Sequence, residues 1–127
     1  MEGVLVVDDD PHVLDLLSLR LKEAGYRVFT ASDAWQEMIR AQGLQIGLII
    51  SDILMPGVGS GVDALKQLRT LPSISQRLPV IFITGMKLDE ARRLIPPDPQ
   101  VRLISKPIDF EKLRAAIREL TGADRPL

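Results

Sequence analysis

The sequence predicts an α/β fold, a three-layer sandwich in which one parallel five-stranded sheet is covered by helices on both faces. Two observations support this prediction. Short apolar runs alternate along the whole chain with segments whose apolar residues recur at helical spacing. The connections between them are short, and strictly alternating strands and helices are typical of parallel sheets built from strand–helix–strand units.

The first strand–helix unit begins with an apolar run, Gly3–Val7, that ends in three consecutive acids. Acids are poor strand formers, so the strand is expected to end there. Asp10 followed by Pro11 is the expected start of a helix, with the acid as N-cap and the proline at the first helical position. The helix is predicted to end at Gly25, where glycine is favoured after the last helical residue.

The third strand is the centre of the prediction. This strand, predicted over 46–51 and rich in apolar residues, leads directly into Asp52, and Pro56 and Gly57 stop it. Ligand crevices in open α/β sheets lie outside the carboxyl ends of the strands, so Asp52 is well positioned for chemistry. The glycines that follow, at 57, 59 and 61, are interpreted as a flexible loop, because no Gly-Lys-Ser/Thr sequence completes a phosphate-binding loop there.

The remaining elements follow the same alternation of strand and helix. They are a second strand over 26–30, a helix capped by Ser32 or Asp33 and ending near Gly43, a third helix through Val62, Leu65, Leu68 and Leu71, a strand over 80–84, a short helix from about Leu88 to Ile95, a strand over 101–105, and a last helix capped by Asp109 and running through Leu120. We expect one domain over 1–122 and a flexible tail over 123–127.

Composition excludes several classes of protein. The chain has 127 residues, 46% of them hydrophobic, which is enough for one folded domain. It has no cysteine, which excludes disulfides and thiolate metal sites. No apolar run approaches the roughly 20 residues that cross a bilayer, and no signal peptide is recognisable, so a cytoplasmic protein without membrane contact is expected. A net charge of −1 argues against direct nucleic-acid binding.

Polar residues stand at the carboxyl ends of four of the predicted strands: Asp8 and Asp9 after the first, Asp52 after the third, Thr84 at the end of the fourth and Lys106 after the fifth. All five are therefore expected at one edge of the sheet. Carboxylates brought together repel each other unless a cation is present, and Mg²⁺ prefers oxygen ligands of this kind. With a lysine and a hydroxyl added, the set predicts a site for a phosphoryl group bound beside a metal.

One of these acids is expected to be a nucleophile. Asp52 stands alone at the end of the central strand, and carboxylates form covalent aspartyl phosphates in phosphoryl-transfer proteins. Asp8 and Asp9 would then hold the metal. Lys106 would pair with the phosphoryl group, and Thr84 would donate a hydrogen bond to one of its oxygens.

The ordered set of motifs resembles the receiver domain of bacterial two-component response regulators. The resemblance runs from Val4 to about Leu120, and the motifs that carry it are Val4-Leu5-Val6-Val7-Asp8-Asp9-Asp10-Pro11, Asp52-Ile53-Leu54-Met55-Pro56-Gly57, Thr84-Gly85 and Ser105-Lys106-Pro107. It implies a flavodoxin-like sheet of strand order 2-1-3-4-5. It also implies a cis peptide bond between Lys106 and Pro107.

The resemblance further implies a function as a phosphoacceptor switch that catalyses no reaction besides its own phosphorylation and dephosphorylation. Asp52 would receive its phosphoryl group from a histidine kinase or a phosphotransfer protein. Mg²⁺ would be held by Asp9, Asp52 and the backbone carbonyl of Leu54, with Asp8 acting through water. The chain leaves no room for an output domain, so the signal is expected to pass to a separate output protein or to an output domain that has been removed.

The sequence departs from the family pattern in several places. Leu103 occupies the position of the family's switch aromatic, so the usual coupling through a swinging ring is not expected. The loop after Asp52 is about one residue longer than usual. Leu54 and Met86 are apolar at the two positions beside the phosphate, and neither orients a hydrolytic water, so slow loss of the phosphoryl group is expected.

Three other functions stay open at this stage. A metal-dependent phosphatase with an aspartyl-phosphate intermediate would usually carry an acid two residues after the nucleophile, where this chain has Leu54. A flavin-binding module would need a hydroxyl-rich loop after the first strand, where this chain has acids. An interaction domain of the same fold that works without phosphorylation is compatible with Leu103.

Overall fold

The computed structural model describes residues 2–54 and 60–127. In these two ranges the secondary-structure elements are β1 (Gly3–Val7), α1 (Pro11–Glu23), β2 (Val28–Ala31), α2 (Ala34–Gly43), β3 (Ile46–Asp52), α3 (Gly61–Leu68), β4 (Val80–Thr84), α4 (Leu88–Leu94), β5 (Val101–Ser105) and α5 (Phe110–Thr121). The predicted alternation of strands and helices is confirmed. Within these ranges no helix is long and apolar enough to cross a bilayer.

The five strands form one parallel sheet in the order β2-β1-β3-β4-β5, which confirms the predicted arrangement. β3 is its central strand and pairs with β1 on one side and β4 on the other. All five residues of β1 and all five of β4 are buried, as expected for strands covered on both faces.

The core consists of two apolar clusters, one on each face of the sheet. One contains residues of α2, α3 and α4. The other contains residues of α1 and α5. Side chains alternate along a strand: Ile49 belongs to the first cluster, and Leu48 and Ile50 to the second. This alternation puts Ser51 on the face with α2 and α3, and Asp52 on the face with α1 and α5.

The helix ends follow the predicted capping residues. The Asp10 side chain accepts a hydrogen bond from the His12 amide at the start of α1, and Asp109 caps α5 in the same way. Of the two candidates for α2, Asp33 is the cap, since its carboxylate accepts from the Gln36 amide. Gly25 follows α1 with φ of +93°, a left-handed conformation that glycine adopts without strain.

Predicted boundaries differ from the structure most clearly at β2, α3 and α4. β2 covers Val28–Ala31 and not 26–30, because Tyr26 packs into the core before the strand begins. α3 ends at Leu68, and Leu71 reaches the same core from the following turn, in which its amide donates to the Leu68 carbonyl. α4 ends at Leu94, one residue short of the predicted end. The apolar pattern predicted burial correctly but did not distinguish helix from turn.

The last five residues lie against α1 and the segment after it. The Arg125 guanidinium stacks over the Tyr26 ring, 4.7 Å from its centroid. The carbonyl of Leu127 accepts a hydrogen bond of 2.7 Å from Arg20. Flexibility of 123–127 in solution stays a prediction.

Candidate functional site

Three carboxylates meet at the carboxyl edge of the sheet. Asp8 and Asp9 follow β1 directly, and Asp52 is the last residue of the neighbouring β3. One carboxylate oxygen from each lies within 4.8 Å of one from each of the others. Asp8 is 2% exposed and Asp52 8%, whereas Asp9 is exposed to solvent. The predicted convergence of these acids is therefore seen, with one side of the cluster open to water.

Lys106 bridges the two buried acids. Its Nζ atom lies 3.0 Å from Asp8 Oδ2 and 2.9 Å from Asp52 Oδ2. The lysine follows β5 immediately, and its backbone amide donates to the Thr84 carbonyl at 2.7 Å. The peptide bond between Lys106 and Pro107 is cis, as the resemblance predicted. Three strands thus supply the acids and the ammonium group that pairs with them.

Burial and pairing oppose each other in the pKa values of this cluster. Burial raises the pKa of Asp8 above its ordinary value, although the Asp10 amide and Lys106 both favour the ionised form. The neighbouring Asp52 carboxylate acts in the same direction as burial. Burial lowers the pKa of Lys106, but its hydrogen bonds with Asp52 and Asp8 outweigh this and raise the pKa overall.

The donor set fits a hard divalent cation. When ionised, the three acids carry three negative charges against the single positive charge of Lys106. Burial, and to a smaller extent the Asp52 carboxylate, raises the pKa of Asp8, so a cation bound here would favour its ionised form. Clustered carboxylate oxygens with one side open to water suit Mg²⁺, which usually keeps several of its waters. Asp8, Asp9 and Asp52 are therefore the residues available to hold such an ion.

Asp52 is held by both of its carboxylate oxygens. Oδ2 accepts from Lys106, and Oδ1 accepts from the Leu54 amide at 3.1 Å. Leu54 itself is 57% exposed at the rim of the site. Pro56, Gly57 and Gly59, the other residues predicted to shape this loop, lie outside the described residues.

Thr84 ends β4, the strand next to Asp52, and is fully buried. Its hydroxyl oxygen accepts a hydrogen bond of 3.0 Å from the amide of Met86. This bond leaves the hydroxyl proton free to be donated. Leu103 pairs with Phe82 across β4 and β5 and is partly buried against the cluster that contains Phe82 and Ala91.

Glu37 and Ser51 are buried polar residues beside the site that were not among the predicted site residues. Glu37, on α2, is 1% exposed and faces Ser51, the residue before Asp52. The sequence did contain a signal for Glu37, since it lies three residues after Ala34 and four before Ala41 on the inward face of α2. An acid in that apolar stripe requires an explanation.

Comparison with known proteins identifies the family. The family model described as "Response regulator receiver domain" matches residues 4–118 of the chain. The chain belongs to this family. The receiver domain has the sheet order that the resemblance implied and the strand-end acids that the sequence predicted.

Curated relatives align along nearly the whole receiver domain. The "DNA-binding dual master transcriptional regulator RpaA" of Synechocystis is 31% identical over 120 residues, which are 94% of this chain and 49% of the relative. The "Transcriptional regulatory protein FixJ" of Bradyrhizobium diazoefficiens is 30% identical, over 97% of this chain and 58% of the relative. The chain thus spans about half the length of these relatives.

Solved structures share the fold over almost their full length. The chemotaxis response regulator CheY4 of Vibrio cholerae superposes with a TM-score of 0.83 and 28% identity, covering 94% of this chain and 98% of that one. The response regulator TrrA of Thermotoga maritima, solved in complex with Mg²⁺ and BeF, has a TM-score of 0.77 and 26% identity, with coverages of 94% and 99%.

Proposed function

We propose that this receiver domain is a phosphorylation switch, in which Asp52 accepts a phosphoryl group from a histidine kinase or a phosphotransfer protein. The observation that supports this most strongly is the position of Lys106 Nζ, 3.0 Å from Asp8 and 2.9 Å from Asp52 inside the acidic cluster. A lysine held between a nucleophile and a second acid neutralises charge where a phosphoryl group would arrive.

In the proposed reaction, an Asp52 carboxylate oxygen attacks phosphorus and forms a new O–P bond. The bond from phosphorus to the donor nitrogen breaks, and its electron pair leaves with the imidazole, which regains its neutral form. Lys106 then pairs with the phosphoryl oxygens, and the Thr84 hydroxyl donates a hydrogen bond to one of them. Such transfer depends mainly on alignment and on neutralisation of charge, which these residues would supply.

Mg²⁺, when bound, would neutralise negative charge on the phosphoryl oxygens and on the acids. We assign Asp9 and Asp52 as its direct carboxylate ligands, with the Leu54 carbonyl as a third ligand and Asp8 acting through water. The support is the approach of the three carboxylates within 4.8 Å, with Asp9 on the side exposed to solvent. TrrA, a relative of the same fold, was solved with Mg²⁺ and BeF.

The phosphorylated domain would act on an output protein or on an output domain of a longer chain, and would turn over no other substrate. The added charge and acceptor oxygens at Asp52 would bias the surface around Thr84 and β5. Because Leu103 stands where the family has an aromatic ring, this bias would be carried by aliphatic packing against Phe82. The absence of membrane or nucleic-acid contact and a cytoplasmic location stay predictions.

The test is phosphorylation of the purified chain with acetyl phosphate and Mg²⁺, followed by intact-mass measurement. Wild type is expected to gain one phosphoryl group in a Mg²⁺-dependent reaction, and Asp52→Asn to gain none. Asp10→Asn is the matched control, because Asp10 adjoins the cluster but its carboxylate caps α1, and asparagine also caps helices. Equal labelling of Asp52→Asn, or no labelling of wild type, would contradict the proposal.

A further inference from the structure

A buried acid lies directly behind the phosphoacceptor and has no part in the proposed transfer. Glu37 projects from the inner face of α2 and is 1% exposed. Its Oε1 atom lies 3.5 Å from the hydroxyl of Ser51, the residue that precedes Asp52 on β3. A carboxyl group is costly to bury unless it is hydrogen-bonded, so its presence at this position is informative.

Ser51 connects the acid to the backbone of the phosphoacceptor. Its Oγ atom lies 2.9 Å from the carbonyl oxygen of Asp52, closer than it lies to Glu37. A serine hydroxyl has one proton, and the shorter distance assigns that proton to the carbonyl. Burial raises the pKa of Glu37 to about 8, so at neutral pH its carboxyl group retains a proton that it can donate to Ser51.

The first residue of α3, Gly61, packs against the Asp52 carbonyl from another side. A Cβ atom at position 61 would overlap the Asp52 carbonyl oxygen and would lie 2.9 Å from Ser51 Oγ, so only glycine fits there. The Gly61 amide donates to the Ile53 carbonyl at 2.9 Å. The backbone at Asp52 is thus enclosed by α3 and hydrogen-bonded to Ser51 on one face of the sheet, while its carboxylate meets Lys106 on the other.

We propose that Glu37 and Ser51 are positioning residues for phosphoryl transfer, because they hold the Asp52 backbone from the face of the sheet opposite its carboxylate. This inference rests on the proposed function. Transfer requires the carboxylate to be aligned with phosphorus and leaving group, and a misplacement of 1 Å costs up to about a hundredfold in rate. Loss of the contacts that link Glu37 and Ser51 to the Asp52 backbone would displace the Asp52 carboxylate by a smaller distance, because β1 and β4 still flank β3.

The experiment compares the rate constants of phosphorylation by acetyl phosphate with Mg²⁺ for wild type, Glu37→Met, Glu37→Gln, Ser51→Ala and the double variant Glu37→Met with Ser51→Ala. We expect Glu37→Met and Ser51→Ala each to lower the rate roughly three- to tenfold. Glu37→Gln retains a donor of the same size and is expected to restore most of the rate. The double variant is expected to be no slower than the slower single variant, because both act through one linkage.

Unfolding in urea separates positioning from a general structural effect. The double variant replaces both Glu37 and Ser51 by apolar residues, so its stability is expected to stay close to that of wild type while its rate falls. Ser18→Ala is the matched control for Ser51→Ala. Ser18 is buried on α1, and its hydroxyl has no hydrogen-bond partner among the described residues, so the rate should not change.

The outcomes distinguish this inference from the proposed function. Slower transfer in Glu37→Met and Ser51→Ala, recovery in Glu37→Gln and a non-additive double variant support positioning. Wild-type rates in both single variants, with Asp52→Asn still inactive, overturn positioning and leave the proposed function intact. Additive losses in the double variant overturn the shared linkage. If wild type itself accepts no phosphoryl group, the proposed function fails and this inference fails with it.

Discussion

Two neighbouring residues of β3 face two different polar environments. Asp52 points to the face of α1 and α5, where two further acids and a lysine gather at an edge open to water. Ser51 points to the face of α2 and α3, where it meets a single acid, Glu37, inside the apolar core. The alternation of side chains along one strand is enough to separate these two environments.

The comparison shows how partners decide the charge of a buried acid. Burial raises the pKa of both Asp8 and Glu37. At Asp8 a backbone amide and the Lys106 ammonium group oppose that effect. At Glu37 no amide or cation among the described residues opposes it, and burial raises the pKa to about 8. On the face with Lys106 the ammonium group favours ionised acids, which can bind metal and phosphate. On the opposite face Glu37 has no cation beside it in the part of the chain that the structure describes, and it retains its proton at neutral pH.

Removing the cation from the Asp52 face is expected to have the largest effect. Lys106→Met leaves Asp8 and Asp52 without the ammonium group that lies about 3 Å from both. Phosphorylation by acetyl phosphate should fall on the order of a hundredfold, as when one charge-stabilising donor is lost from an active site. The pKa of Asp8 should rise further, which NMR titration of its carboxyl group would detect. Lys112→Met, an exposed lysine on α5, is the control, and an unchanged rate in Lys106→Met would contradict the assignment.

The burial of Glu37 predicts that the free energy of unfolding depends on pH. The folded-state pKa of about 8 lies above the ordinary value of 4.5, so the folded protein binds more protons than the unfolded chain between these values. Stability contributed by this group is fully present below about pH 4.5 and is lost as pH rises toward 8. Between pH 5 and pH 8 the free energy of unfolding should fall by about 3 kcal/mol from this group alone.

Urea unfolding at several pH values measures this loss, and Glu37→Gln is the reference, since glutamine does not titrate. The difference in unfolding free energy between wild type and Glu37→Gln isolates the contribution of Glu37 from that of Asp8, which titrates in both proteins. A difference that stays constant from pH 5 to pH 8 would show that Glu37 is not held protonated.

The cluster of charged residues around Asp52 could be predicted from the sequence for a geometric reason. Parallel strands deliver their carboxyl ends to one edge, so residues such as Asp8, Asp52 and Lys106 converge once the strands are located. Each follows an apolar run whose end is sharply marked by acids or proline. Predicting their convergence therefore required only the strand order, which the resemblance to the family implied. The structure shows the convergence as contacts of 3.0 and 2.9 Å from Lys106 to Asp8 and Asp52.

The contact between Ser51 and Glu37 on the opposite face of the sheet could not be predicted in the same way. The spacing of Ala34, Glu37 and Ala41 places Glu37 on the inward side of α2, but the group that it meets there depends on the rotation of α2 against β3. The contact with Ser51 joins residues of two elements through side-chain packing, for which the sequence has no local signal. The same limit explains β2, where Tyr26 carries a strand-like pattern but packs before the strand starts.

A substitution of Asp9, the exposed member of the acidic cluster, tests whether this residue is a Mg²⁺ ligand. Asp9→Asn keeps an oxygen beside Asp8 and Asp52 but removes one negative charge from within 4.8 Å of both. Mg²⁺ affinity should fall roughly tenfold, because one charge–ion attraction is lost. Isothermal titration calorimetry would measure the affinity, with Asp10→Asn as the control. Equal affinity in wild type and Asp9→Asn would exclude Asp9 as a ligand.

The smallest expected effect concerns the rim of the site. Leu54 is exposed beside Asp52, and Met86 follows Thr84 by two residues, so neither offers a polar group that orients a water toward phosphorus. The aspartyl phosphate of wild type should therefore decay over minutes or longer. Leu54→Asn places an amide at that rim and should shorten the lifetime about threefold. Leu94→Asn, which alters another exposed leucine on α4, should leave it unchanged. Decay of the wild-type phosphoprotein within seconds would show that a group other than these two positions activates the water.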